Sequence, residues 1–105
     1  MTIWEMCRGF EALQARSPAR SAQGLSALDQ LAADFADRIV PVDAAIAAEW
    51  ARLLGAKDKD RTEMSLAATA RMRGMVLVTR NVQDFRGRGV RVLDPFKAAP
   101  VVVEV

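Results

Sequence analysis

Residues 61–81, RTEMSLAATARMRGMVLVTRN, leave the chain little choice of fold. The first half has the alanine-rich composition of a helix. The second half, MVLVT at 75–79, is a continuous apolar run of the kind found in strands covered on both faces. Gly74 stands between them as a helix stop. A buried strand reached directly from a helix is the unit from which α/β sheets are built. The same stretch carries an acid, Glu63, on a helix face shared with Ala67 and Ala70, and it ends on the polar pair Arg80 and Asn81.

The rest of the chain continues this alternation. Ile3, Met6, Cys7, Phe10 and Leu13 form one helical stripe, which predicts a helix over 2–15. Glu5 lies off that stripe, on a row with Gly9 and Ala12. RSPARSAQG at 16–24 reads as a loop broken by Pro18, and 25–37 as a second amphipathic helix. RIVPVD at 38–43 reads as a short strand whose Asp43 caps a helix over 44–54. A charged loop at 55–61 leads to the helix from Thr62 to Arg73. NVQDF is a turn or short helix, and GVRVLDPF at 89–96 is a last strand ending at Asp94-Pro95. The expected class is α/β, with a short, mainly parallel sheet flanked by helices. At 105 residues this is at most one domain with a modest core.

Composition removes several chemistries. Histidine is absent, so no Ser-His-Asp triad, Cys-His pair or His-ligated metal is available. The single cysteine, Cys7, cannot close an internal disulfide, which fits a reducing cytoplasm. No apolar run is long enough for a membrane helix, so no membrane association is expected. Charge is unevenly spread: residues 1–51 carry four Arg and seven acids, whereas 52–105 carry eleven Lys/Arg and six acids. Arginines at 71, 73, 80, 86, 88 and 91 suit phosphate recognition, or they form a solvated face.

In open parallel sheets, functional groups collect beyond the carboxyl ends of the strands, which is where Asn81 falls. A carboxylate on a buried helix costs several kcal/mol unless it is paired, protonated or metal-bound. Glu63 therefore calls for a metal ion or an arginine, or else it sits in the first helical turn as a complement to the helix dipole.

In order and spacing, TIWEMCRGFEAL, RIVPVD, RTEMSLAATARMRGMVLVTRNVQDF and GVRVLDPF resemble the PIN-domain toxins of the VapC/FitB type. The resemblance covers residues 2–96. It implies a Mg²⁺- or Mn²⁺-dependent endoribonuclease of a type II toxin–antitoxin system, in which an acidic cluster holds the metal that activates water. Hard divalent ions take oxygen ligands, so the lack of histidine is compatible with this chemistry. By that resemblance Glu5 and Glu63 are the catalytic acids and metal ligands, with Glu63 where relatives usually have Asp. Asn81 completes the ligand set. Asp84 is an outer-shell acid, or else a cap of the short turn. Arg80 and Arg86 are the RNA contacts, and a cognate antitoxin and a second copy of the chain are the expected protein partners.

The family's first strand, of the type LDTNV, is not found, nor are the helix and strand that follow it. The expected organisation is thus a partial PIN domain at 1–96 and a tail at 97–105. Met1 falls where relatives have Val, which points to an upstream start or a broken gene. Without the first Asp, little ribonuclease activity is expected, and the alternative is an inactive remnant that binds an antitoxin or another PIN protomer. The tail, with four valines in residues 101–105, either fills a vacant place in the sheet or frays.

Overall fold

The computed structural model describes residues 2–105; Met1 lies outside the described residues. The chain divides into two compact units, one running through Ile39 and one from Val40 to Val105. Among the described residues there are four α-helices and one three-stranded sheet, so the protein is mixed α/β with helix predominating.

The first unit is a helical hairpin of α1 (Ile3–Leu13) and α2 (Pro18–Asp34), followed by a 3₁₀ turn at Ala36–Arg38. The helices pack on each other with Leu28 and Ser21 buried. Ser21 Oγ donates to the Phe10 carbonyl at 2.7 Å, which satisfies a hydroxyl that burial would otherwise penalise. Gly24 of α2 lies against the Phe10 ring so closely that a Cβ there would overlap it. The absence of a side chain at 24 is what lets the two helices approach at that point.

Here two expectations are corrected. Residues 18–24 are helix, not loop. Proline is tolerated in the first turn, where its missing N–H had no intrahelical acceptor to lose, so Pro18 starts α2 instead of breaking it. Residues 38–43 are not a strand: the 3₁₀ turn ends at Arg38 and the following residues run to Asp43 without regular structure. Their apolar residues satisfy a pattern, but no neighbouring strand supplies hydrogen bonds.

The second unit has α3 (Ala44–Leu54) and α4 (Arg61–Arg73) packed together beside a sheet of β1 (Leu77–Val78), β2 (Arg91–Leu93) and β3 (Val103–Glu104). Its core is Ile46 and Leu53 from α3, Met64, Ala67, Ala68 and Ala70 from α4, and Phe85, Val90 and Val92. Three alanines in seven residues keep the α4 surface low, so larger side chains from both sides can close over it.

Local signals set the helix limits. Asp43 accepts from the Ile46 N–H at 2.9 Å, the expected N-cap of α3. Gly74 ends α4 in the left-handed region, φ 63°, ψ 33°, where a Cβ is disfavoured. Longer links then fix the helices together. Trp50 Nε1 donates to the Arg61 carbonyl at 2.9 Å, and Arg88 Nη1 donates to the Leu53 carbonyl at 2.8 Å.

The expected sheet is corrected in two respects. The apolar run at 75–79 is not a strand covered on both faces: β1 is only two residues long, and its Val78 is 59% exposed. β1 and β2 are parallel, with Leu77 opposite Val92 and Val78 opposite Leu93. β3, however, is antiparallel to β2, with Val92 opposite Val103, so the sheet is mixed in the order β1-β2-β3. The valine-rich tail therefore takes a place in the sheet. Further bonds from the Gly89 N–H to the Val105 carbonyl (2.8 Å) and from the Val105 N–H to the Val90 carbonyl (3.1 Å) hold it there.

Candidate functional site

The segment that leaves β1 gathers four of the six site residues expected from sequence. The Thr79 N–H donates to the Leu93 carbonyl at 3.0 Å, carrying the parallel pairing one residue past β1. The chain then turns. The Asn81 N–H donates to Thr79 Oγ1 at 3.0 Å, and the Asp84 N–H donates to the Asn81 carbonyl at 3.1 Å. Residues Val82–Phe85 form a 3₁₀ turn anchored by the buried Phe85. Arg80, Asn81, Asp84 and Arg86 are all exposed on this segment. Asn81 precedes the turn without a side-chain cap.

Glu63 lies in the first turn of α4, half-buried, and α4 packs against both β1 and the 82–85 turn. Ala67 and Ala70 on its face are buried, as expected. No ion pair or hydrogen bond joins the Glu63 carboxylate to another described side chain. An arginine partner, one of the two alternatives for this acid, is thus not supplied from within the described residues.

Glu5 belongs to the first unit. It forms a capping box with Thr2: the Glu5 N–H donates to Thr2 Oγ1 at 3.2 Å, and Glu5 Oε1 accepts from the Thr2 N–H and hydroxyl, each at 3.1 Å. The T-x-x-E signature at Thr2–Glu5 was open to this reading in the sequence. Among the described residues, no three of Cys, Asp and Glu come together in a group able to hold a metal ion.

The basic half resolves into two kinds of arginine. Arg71 donates to Glu49 at 2.9 Å and to the carbonyls of Arg88 (3.1 Å) and Gly89 (2.6 Å). Arg73 pairs with Asp43, Arg88 holds the end of α3, and Arg91 donates to the Gly74 carbonyl at 2.8 Å. These four guanidinium groups tie elements together. Arg80 and Arg86 have no carboxylate partner among the described residues. Arg86 Nε donates to Gln83 at 3.0 Å, and the Arg80 guanidinium lies over the Phe96 ring, 4.6 Å from its centroid.

Phe96 was not singled out in the sequence, where it closed the stretch 89–96 expected as the last strand. Asp94 Oδ1 accepts from the Phe96 N–H at 2.9 Å, a local turn that projects the ring beyond β2. The ring is 71% exposed.

A cleft of about 300 Å³ opens elsewhere in the second unit, lined by Glu49, Arg71, Met75, Gly89, Arg91 and Glu104 among others. None of the expected site residues lines it. Its acid Glu49 accepts from both Arg52 and Arg71, and the Arg52 bond, seconded by Arg71, holds its carboxyl down from 4.5 to about 2. This is the chemistry of a structural hub, with arginine heads already occupied. No helix among the described residues is long and apolar enough to cross a membrane.

Comparison with protein-family models, with curated proteins and with solved structures gives no match.

Proposed function

We propose that the chain is a PIN-type domain of the toxin kind, a metal-dependent endoribonuclease whose partner is an antitoxin. The observation that carries this reading is the parallel pairing of β1 with β2. It sets Asn81 just past the carboxyl end of β1, where ligands gather in open parallel sheets, with the Glu63 helix packed on the same strand and turn. Arg80 and Arg86, the two arginines of this half without structural carbonyl or carboxylate partners, flank Asn81 and suit a phosphodiester backbone.

Mg²⁺ or Mn²⁺ belongs to this reading through the resemblance. Glu63, Asn81 and Asp84 supply oxygen, the donor type such ions take. They do not make up a group of three acids, and Glu5 Oε1 already caps α1, so the fit is incomplete and no step is routed through a metal. RNA cleavage by the purified chain in Mn²⁺ tests the reading. Slow cleavage that disappears in Glu63→Gln is expected.

A second reading is a PIN domain without catalysis that binds an antitoxin or another protomer. The capping role of Glu5 favours it, as does an apolar groove in the first unit lined by Ile3, Met6, Leu28, Leu31, Phe35 and Ile39 among others. No cleavage at any Mn²⁺ concentration, by a chain shown to be folded, selects this reading over the first.

A further inference from the structure

We propose that Phe96 and Arg80 form a stacking platform for one unpaired base of single-stranded RNA, beyond the carboxyl ends of β1 and β2. The proposal deepens the RNA-directed reading above and rests on it. Three observations carry it.

First, the ring is displayed rather than packed. Among the described residues Phe96 is the most exposed of the large apolar side chains, at 71%, in a unit whose other phenylalanine, Phe85, is 2% exposed. The hydrogen bond from its own N–H to Asp94 holds its backbone, so the ring is presented on a fixed turn and not on a loose end.

Second, Arg80 covers only one face. Its guanidinium stacks at 4.6 Å from the centroid, the distance of a cation–π contact. With the residue 71% exposed, ring surface remains available to a planar group. Nucleobases offer such a plane, and stacking accepts any of the four because each has a π-face.

Third, the charge around the pair matches a polyanion. The other arginines of this half, at 52, 61, 71, 73, 88 and 91, donate to carbonyls or carboxylates of their own unit. Arg80 and Arg86 bracket the turn without an acid partner, so their positive charge is not neutralised within the described residues. Stacking by Phe96 with a neighbouring guanidinium for the phosphate is the combination by which single strands are held without sequence readout. A duplex has its bases stacked internally and offers this platform no free π-face.

The test is fluorescence anisotropy with a labelled twelve-nucleotide single-stranded RNA and a duplex of the same length, in EDTA, so that cleavage plays no part. Phe96→Ala is expected to weaken single-strand binding about tenfold and to leave duplex binding unchanged. Arg80→Lys, which keeps the charge but loses the planar stack, falls between wild type and Phe96→Ala. Arg80→Ala lowers the salt dependence by about one phosphate contact on both RNAs. Circular dichroism and thermal melting confirm that each variant is folded, and Phe96→Leu repeats the test with an apolar side chain that has no π-face. Single-strand binding that survives both Phe96→Ala and Phe96→Leu overturns the platform, as does equal weakening on the duplex. The two readings separate cleanly. A chain that cleaves RNA equally well with and without Phe96 keeps the ribonuclease reading and loses the platform. A chain that binds single strands through Phe96 and never cleaves keeps the platform and loses the ribonuclease.

Discussion

Arg71 Nε donates to Glu49 Oε1 at 2.9 Å, an ion pair between side chains 22 residues apart that joins α4 to α3. Arg52, one turn along α3, reaches the same carboxylate. Glu49 is the better shielded member of the trio, its side chain 14% exposed against 33% for Arg71 and 60% for Arg52. The carboxylate thus holds together two arginines that would repel each other without it.

This hub gives a pH-dependent contribution to stability. Two guanidinium bonds, the larger from Arg52, lower the Glu49 pKa from 4.5 to about 2. A depressed folded-state pKa means the contribution is fully present above about 4.5 and is lost as pH falls towards about 2. With Arg52 largely in water, screening reduces the effect to about 1 kcal/mol at neutral pH. Glu49→Gln should lower the urea midpoint accordingly at pH 7. Its difference from wild type should vanish between pH 4.5 and 2, provided both proteins remain folded there. A difference that does not change with pH would show that the loss is one of packing alone.

Gly24→Ala should destabilise the α1–α2 hairpin although it improves helix propensity. Propensity alone favours alanine by about 1 kcal/mol. The new Cβ meets the Phe10 ring, and overpacking of that kind costs roughly 1–3 kcal/mol. Thermal melting of Gly24→Ala, with and without Phe10→Leu, checks this. A stabilised single variant would mean that the ring moves aside at no cost.

Glu5→Gln separates the two roles of Glu5. Glutamine also closes a capping box, so the melting temperature should change little. If Glu5 takes part in catalysis, the same change removes RNA cleavage. A variant as active as wild type leaves Glu5 as a cap only.

Removal of residues 101–105 should destabilise the second unit. β3 covers one edge of β2, and Val105 packs on the core. Its loss exposes Val90 and Val92, now 1% and 0% exposed, and strands backbone groups of β2, at a cost of roughly 2 kcal/mol. Differential scanning calorimetry of the truncated chain is the check. An unchanged melting temperature would rule out a structural role for the strand.

The sequence alone was sufficient wherever a few consecutive residues settle the matter. Asp43 and the stripe of Ile46, Trp50 and Leu53 define α3, and Gly74 ends α4, because caps, helical spacing and left-handed backbone are local properties. The apolar runs located β1 and β2, although β1 is only Leu77–Val78 and its Val78 is 59% exposed. Asn81 was read from its place after β1, whereas Arg80, Asp84 and Arg86 came from the family resemblance. What only the tertiary structure decided is pairing. RIVPVD and PVVVEV look alike as β-formers, yet only the second lies beside β2 and receives its hydrogen bonds. A strand is completed by its neighbour, whereas a helix carries its own bonds. The arginines make the same point. Nothing in their spacing marks Arg71, Arg73, Arg88 and Arg91 as structural ties and leaves Arg80 stacked on Phe96. A guanidinium's role is set by which carbonyl, carboxylate or ring the folded chain brings within its reach.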